Sequence, residues 1–355
     1  MNKNVHLVII LFSFLLPSNG FGAVKVSSHA HDSTYQNGRL FNCDDYLELE
    51  IVTDLDTLIA DIGDNPSYHP AELSYKDIHG DWHHLNVEIR TRGKFRNQPN
   101  NCDFPPLRIK FPKEERENTI FEDHKFLKMV THCQTALPEY EQYVLQEYLI
   151  YKSYNLLSGL SLRVQLLKIK YIDTEDPEKN FEKFAFFLEN PDDMAERNNG
   201  NLLNLETVSP DAVNQDHYTM VAFFEYMIVN TDWSLPIMHN IELVSLDYFE
   251  APYPVPYDFD WSGLINIPYE VPTISGMQKR IPERVFKGKC RKKKEYKKTI
   301  RLYHSKKQDL FDLYIDFPYL DYDIKTKTLE TIQVFYEILN DKYIFRVEFI
   351  EKCRD

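Results

Sequence analysis

In HLNVEIRTRG (84–93), Leu85, Val87 and Ile89 alternate with Asn86, Glu88 and Arg90. A period of two with one apolar face is the mark of a half-buried strand. PPLRIKFP (105–112) repeats it with Leu107, Ile109 and Phe111. YLELEIVT (46–53) and AELSYKD (71–77) have the same character, the latter leading into a HGDW turn. Residues 41 to about 135 are therefore predicted to form an antiparallel sheet.

The period then changes. Between residues 137 and 157, Tyr140, Val144, Tyr148, Tyr151 and their neighbours make a broad apolar face at helical spacing, with Gly159 as a stop and Glu147 inside that face. Strands resume in LRVQLLKIKYID (162–173) and KFAFFLEN (183–190), and NPDD (190–193) opens a short helix. MVAFFEYMIV (220–229) is apolar almost all round, as a buried helix is, and it delivers the chain into Asn230, Thr231 and Asp232. IELVSL and PVPYDF read as strands; YHSKKQDLFDLYIDF and KTLETIQVFYEILNDKY read as amphipathic helices. The expected class is α+β: a β-rich part at 41–190, then a mainly helical part at 191–355 that carries the polar motifs.

Residues 1–23, MNKNVHLVIILFSFLLPSNGFGA, have the layout of a secretory signal peptide: one Lys, an apolar run too short to span a bilayer, then small residues. Residues 24–40 read as a polar tether. The mature chain is thus expected to be exported, periplasmic or extracellular, with no stable membrane insertion. Its formal charge of −14 argues against a nucleic-acid partner, which requires a basic face. The basic run KGKCRKKKEYKK (287–298) reads first as a solvated helix face, with a dock for an anionic partner or polyphosphate as the lesser reading. The five cysteines, at 43, 102, 133, 290 and 353, show no zinc spacing, and an odd number leaves at least one without an intrachain partner. The three histidines of HGDWHH read as part of a polar hairpin.

Chemistry concentrates in two stretches, NTDWSLPIMHN (230–240) and VPYDFDWSG (255–263). Carboxylates set among large aromatics cost free energy unless a cation or a hydrogen-bond network compensates them. Phosphoryl transfer needs a cation on the phosphates, carboxylates and an amide on divalent metal, and an acid group to orient the attacking hydroxyl. Lys110, on a strand, paired with Glu147, on a helix, would supply the first. Asp232, Asn240 and Asp258 would supply the rest.

These stretches, with RTRGKFR (90–96), PPLRIKF (105–111), LQEYLIYKSYNLLSGLSLRV (145–164) and FFLENPDDMAERNNGNL (186–202), resemble the CotH family of spore-coat, secreted atypical kinases over roughly residues 42–270. The resemblance implies a two-lobed protein-kinase-like fold, Mg²⁺ or Mn²⁺, ATP as phosphoryl donor and a protein acceptor. It implies Asp232 as the catalytic aspartate and Asn240, Asp258 and Asp260 on the metal. Arg92, Gly93, Lys110, Glu147 and Glu189 would lie around the nucleotide, the last at a hinge. Asp232 and Asn240 are eight residues apart, a wider spacing than ordinary kinases use. A bridge between Cys102 and Cys133 would tie the 30 residues between them. Two other classes use the same residues: an inactive exported binding protein with a structural metal, and a metal-assisted hydrolase with water as nucleophile.

Overall fold

The seven strands with alternating or doubly apolar patterns pair into one closed ring. They are β1 (Leu47–Thr53), β2 (His69–Lys76), β3 (Trp82–Thr91), β4 (Leu107–Lys110), β5 (Phe126–Val130), β6 (Val164–Asp173) and β7 (Phe181–Leu188), in the order β1-β2-β3-β4-β5-β7-β6. Every pairing is antiparallel except that of β6 with β1, which is parallel and closes the barrel. The computed structural model describes residues 40–43, 45–98, 101–265, 267–268, 270–273, 276–279 and 283–354. The leader at 1–23 and the tether up to residue 39 lie outside the described residues.

Two cores explain the strand sequences. Leu49, Ile51, Leu73, Val87, Ile89, Ile109, Leu127, Leu167, Ile169 and Phe187 fill the barrel interior. Residues of opposite parity on β6 and β7, among them Val164, Leu166, Phe186 and Leu188, join a second core with the helices. These two strands are therefore apolar on both faces, as strands covered on both sides must be. Helix α1 (Leu55–Ala60) caps one connection, α2 (Lys113–Arg116) another, and α3 (Pro138–Asn155) packs on β7.

Beyond the barrel come α4 (Pro191–Arg197), β8 (Asn201–Leu202) and the buried α5 (Gln215–Met227). Strand β9 (Ile241–Ser245) lies between β8 and β10 (Tyr253–Pro256) in a small sheet, followed by the hairpin of β11 (Glu270–Thr273) and β12 (Gly276–Lys279). Helices α6 (Lys293–Ser305), α7 (Lys307–Ile315), α8 (Tyr322–Asn340) and α9 (Lys342–Phe345) finish the chain. Phe223 of α5 meets Phe335 of α8 and Phe349 in that second core.

This corrects the expected fold class. The strands make a closed seven-stranded mixed barrel accompanied by helices rather than a two-lobed kinase-like fold with a mainly helical second lobe, and the described chain from Leu40 onward belongs to one compact unit. The reason lies in β6 and β7. Their pairing with β1 and β5 removes both free edges of the expected sheet, and an unpaired edge leaves backbone donors and acceptors to be satisfied elsewhere.

Two disulfides staple the loops: Cys102–Cys133, and Cys290–Cys353 near the C-terminus; Cys43 is free. Cys102 and Cys133 are 31 positions apart, a loop whose closure stabilises by about 3–4 kcal/mol in the chain-entropy model. Replacing both with serine should lower the unfolding free energy by about that amount; an unchanged urea midpoint would show that the bridge stabilises nothing.

Candidate functional site

Asp258 follows β10 in a left-handed conformation, φ 62°, and its N–H donates to Tyr151 Oη of α3 (2.9 Å). Its side chain is exposed to solvent, yet burial raises its pKa to about 6, with Asp260 adding to the effect and Arg96 and Arg92 opposing it. A carboxyl that is both open to water and crowded by protein lies on the floor of a recess. Among the described residues, no donor reaches its oxygens.

Beneath it lies a charged triad. Arg96, in the loop after β3, places Nη2 3.1 Å from Glu147 Oε2 and 2.8 Å from Asp260 Oδ2, with Nε 3.0 Å from the latter. The three side chains are only 11%, 4% and 9% exposed. Burial pushes Glu147 up to about 7; the Arg96 guanidinium opposes this, while Asp260 and Asp258 reinforce it. Two guanidiniums, those of Arg96 and Arg92, face three crowded carboxyls, so the group as a whole leaves room for a further cation.

Asp232 lies on the loop after α5. Its N–H donates to Asn230 Oδ1 (2.9 Å), and Asn240 Nδ2 donates to its carbonyl (2.7 Å) and to Oδ2 (3.1 Å). His239 Nε2 stands 3.0 Å from the other carboxylate oxygen. Asp232 is near enough to raise the Asp258 pKa, so both carboxyls belong to one electrostatic site. Val229, Met238, Asn240 and Asp258 all have positive φ. For a β-branched valine that is a costly conformation, and such strain collects where side-chain placement matters more than backbone comfort.

The barrel contributes cations. Arg90, Arg108 and Lys128 stand directly opposite one another across β3, β4 and β5. Like charges in cross-strand register repel. Arg90 Nη1 donates to the Pro66 carbonyl, and Arg108 stacks on Phe126. Among the described residues, however, the side chains of Arg92, Arg108 and Lys128 have neither an ion-pair nor a hydrogen-bond partner. Burial lowers the pKa of Lys128, with Arg92 adding to the effect and Glu242 and Asp258 opposing it. Gly93, at φ 102°, turns the chain just after Arg92, where a side chain would be strained.

The structure thus brings together Arg92, Gly93, Glu147, Asp232, Asn240, Asp258 and Asp260. It separates two others. Lys110 does not reach Glu147: cross-strand register sets it opposite Glu88, with which it pairs, and its ammonium lies over Tyr68. Glu189 accepts from Arg197 Nε (2.9 Å) and from the Arg163 N–H (2.8 Å), and lines a recess of about 570 Å³ with His124 and Asp193. Asp232, Asn240 and Asp258 are not among the residues lining that recess. Sequence reasoning missed Arg96, His239 and Lys128. Arg96 lies in an aperiodic loop, and only the HN pair at 239–240 hinted at His239.

Among the described residues, no three His, Cys, Asp or Glu converge as a protein-only metal cage. Magnesium rarely needs one; it takes one or two carboxylates and completes its shell with water and phosphate oxygens. Asp258, with its unengaged carboxylate, fits that role, as does Asn240 Oδ1, since only its Nδ2 is committed to Asp232. Asp260 fits less well, because Arg96 holds its Oδ2.

Two predictions follow from this geometry. Replacing Arg96 by Met leaves Glu147 and Asp260 buried without their counter-charge, a loss of about 3–5 kcal/mol. The deficit should shrink as pH falls and Glu147 takes up a proton; a urea midpoint within 0.5 M of wild type at pH 8, or about 1 kcal/mol, would contradict the buried bridge. Glu225 of α5 is fully buried, with only the nearby Asn230 amide to serve its oxygens and no hydrogen bond of good geometry made, and burial raises it to about 8, with Asn230 and Lys287 opposing and Asp232 reinforcing. Between the ordinary glutamate range and about pH 8, the unfolded chain has released a proton that the folded chain keeps. Stability should therefore fall as pH rises through that window, and Glu225→Gln should flatten the fall.

No protein-family model matches the chain, and no curated protein is significantly similar to it, so the site's chemistry is what its own residues can support.

Proposed function

We propose that the recess is the active site of a metal-dependent phosphotransferase, moving a phosphoryl group from ATP or another nucleotide to a hydroxyl of a protein acceptor. One observation carries the reading. Asp258 holds an unengaged carboxylate on the recess floor within electrostatic reach of unpaired Arg92 and Lys128 on one side and of Asp232 on the other. The Asp258 carboxylate and the Arg92 and Lys128 cations, none with a side-chain partner among the described residues, together complement a metal–polyphosphate, which carries both signs. The CotH-like motifs support the same chemistry.

In this reading Arg92, Arg108 and Lys128 bind and orient phosphate oxygens. Asp258 and Asn240 would hold the divalent cation, which when bound neutralises charge on the transferred group. Asp232 Oδ1 accepts the proton of the attacking hydroxyl, and His239, 3.0 Å away, orients that oxygen. Asn240, donating to Oδ2, fixes the carboxylate plane. Arg96 acts through others by holding Glu147 and Asp260 in place. We infer export as well: two disulfides suit an oxidising compartment and agree with the leader read in residues 1–23.

The test is a thermal shift and a turnover assay with ATP and Mg²⁺ or Mn²⁺. Wild type should be stabilised by mass action and should transfer or release labelled phosphate. Asp258→Asn should lose most of the shift together with turnover. Asp232→Asn should keep the shift while turnover falls roughly 10²–10⁴-fold, as for a lost general base. Equal shifts in all three proteins would remove Asp258 from the metal. A second reading, an exported binding protein without catalysis, draws on Arg96 filling the space between Glu147 and Asp260 as a fixed cation. It predicts no turnover in any of the three.

A further inference from the structure

Next to the loop that carries Asp232 lies a separate surface pocket of about 90 Å³. Leu235, Pro236 and Pro210 form apolar walls, and Tyr218 adds an aromatic one. Three cations line it, Lys287, Lys289 and Arg354, and none of the lining residues is acidic. In a chain of net charge −14, this local excess of positive charge runs against the composition.

Trp233 also lines the pocket and is 1% exposed, yet its Nε1–H has no acceptor. Indole nitrogen can only donate, so what satisfies it must be an acceptor. Water could serve one orphan donor, but water leaves Arg354 uncompensated. Lys289 pairs with Asp211, while the Arg354 guanidinium has no ion-pair partner among the described residues. Lys287 Nζ is turned to the backbone, donating to the carbonyls of Thr231 and Trp233 that flank Asp232.

Arg354 is held there by the C-terminal staple. Cys353 is bonded to Cys290, the Arg354 N–H donates to the Gly288 carbonyl (3.0 Å), and the Cys290 N–H donates to the Arg354 carbonyl (2.8 Å). Arg354 is thereby fixed beside Lys289.

We propose that this pocket is a binding site for a single phosphate-like oxyanion, separate from the nucleotide recess. A small tetrahedral anion fits the volume, accepts from Trp233 Nε1 and offsets Arg354, beside the Lys289–Asp211 pair. Its phosphate is either free or borne on a serine of an acceptor peptide. The inference does not depend on catalysis in the recess.

The experiment titrates inorganic phosphate, without nucleotide or divalent cation, into the full mature chain and reads the thermal midpoint. Because Arg108 and Lys128 also attract phosphate, the titration is repeated in an Arg108→Gln, Lys128→Gln background. A stabilisation that persists there, falls at least fivefold in apparent affinity with Arg354→Gln, and weakens again with Trp233→Phe supports the site. Trp233→Phe keeps the ring and removes only the donor. A phosphate response that Arg354→Gln leaves unchanged, or none at all in the Arg108→Gln, Lys128→Gln background, overturns it. Competition then names the source. A phosphoserine peptide that displaces phosphate where its serine counterpart does not marks an acceptor-borne group; displacement by neither marks the free anion. Absence of ATP turnover in the wild-type chain, with phosphate binding retained, would reject the phosphotransferase and leave this site standing.

Discussion

The guanidinium of Arg96 is the contact on which the recess depends, because it joins three segments that no backbone pairing connects. Arg96 comes from the loop after β3, Glu147 from α3, and Asp260 from the turn after β10. A buried ion pair is weak evidence for stability, since desolvation offsets much of the attraction, and its better-attested value is in setting register. Here the register is that of the barrel, α3 and the acidic loop. One turn further along α3, Tyr151 accepts from the Asp258 N–H and fixes the same loop a second time. Side chains of α3 therefore set where Asp258 stands, and apolar packing of α3 on β7 carries that position back to the barrel.

Strain and charge are concentrated around that frame. Positive φ at Val229, Met238, Asn240 and Asp258 bends the two acidic loops, and α5, buried along its length, anchors the first of them. Ser262 Oγ donates to the Ile228 carbonyl (2.6 Å) and the Gly263 N–H to that of Val229 (3.1 Å), tying the second loop to the first. Asp232 and Asp258 thus share one hydrogen-bonded unit, and neither can move far without the other. That rigidity is what a site needs if its carboxylates are to stay close together without a cation between them.

Much of this was legible in the chain. Alternation in HLNVEIRTRG and LRIK marked β3 and β4, the helical face at 137–157 marked α3, and the apolar MVAFFEYMIV marked the core of α5. The Cys102–Cys133 bridge was also anticipated, while Cys290–Cys353 was not, since spacing alone does not specify connectivity. Closure of the barrel could not be read, because periodicity reports which face is buried and says nothing of which edges meet. Lys110 shows the same limit: alternation puts it outside the barrel, but its pairing with Glu88 rather than Glu147 is a matter of register between two strands. Arg96 and Lys128 became visible only once loops and strands distant in sequence were side by side.

The distribution of charge bears on how a polyphosphate could reach an acidic protein at all. At physiological ionic strength, screening confines repulsion from the surface to about 8 Å, so net charge affects arrival only over the last few water layers. Within that range, what counts for the proposed function is the cationic row of Arg92, Arg108 and Lys128, whose side chains have no partner among the described residues. A site with only that row would hold any polyanion. A site with only Glu147, Asp258 and Asp260 would hold any hard cation. On the proposed function the two groups together favour a ligand that brings both charges in one rigid assembly, because either charge alone leaves the opposite group uncompensated. Selectivity then comes from the pairing of the rows rather than from any single contact, and it is Arg96, by holding the acidic row in place, that keeps them paired.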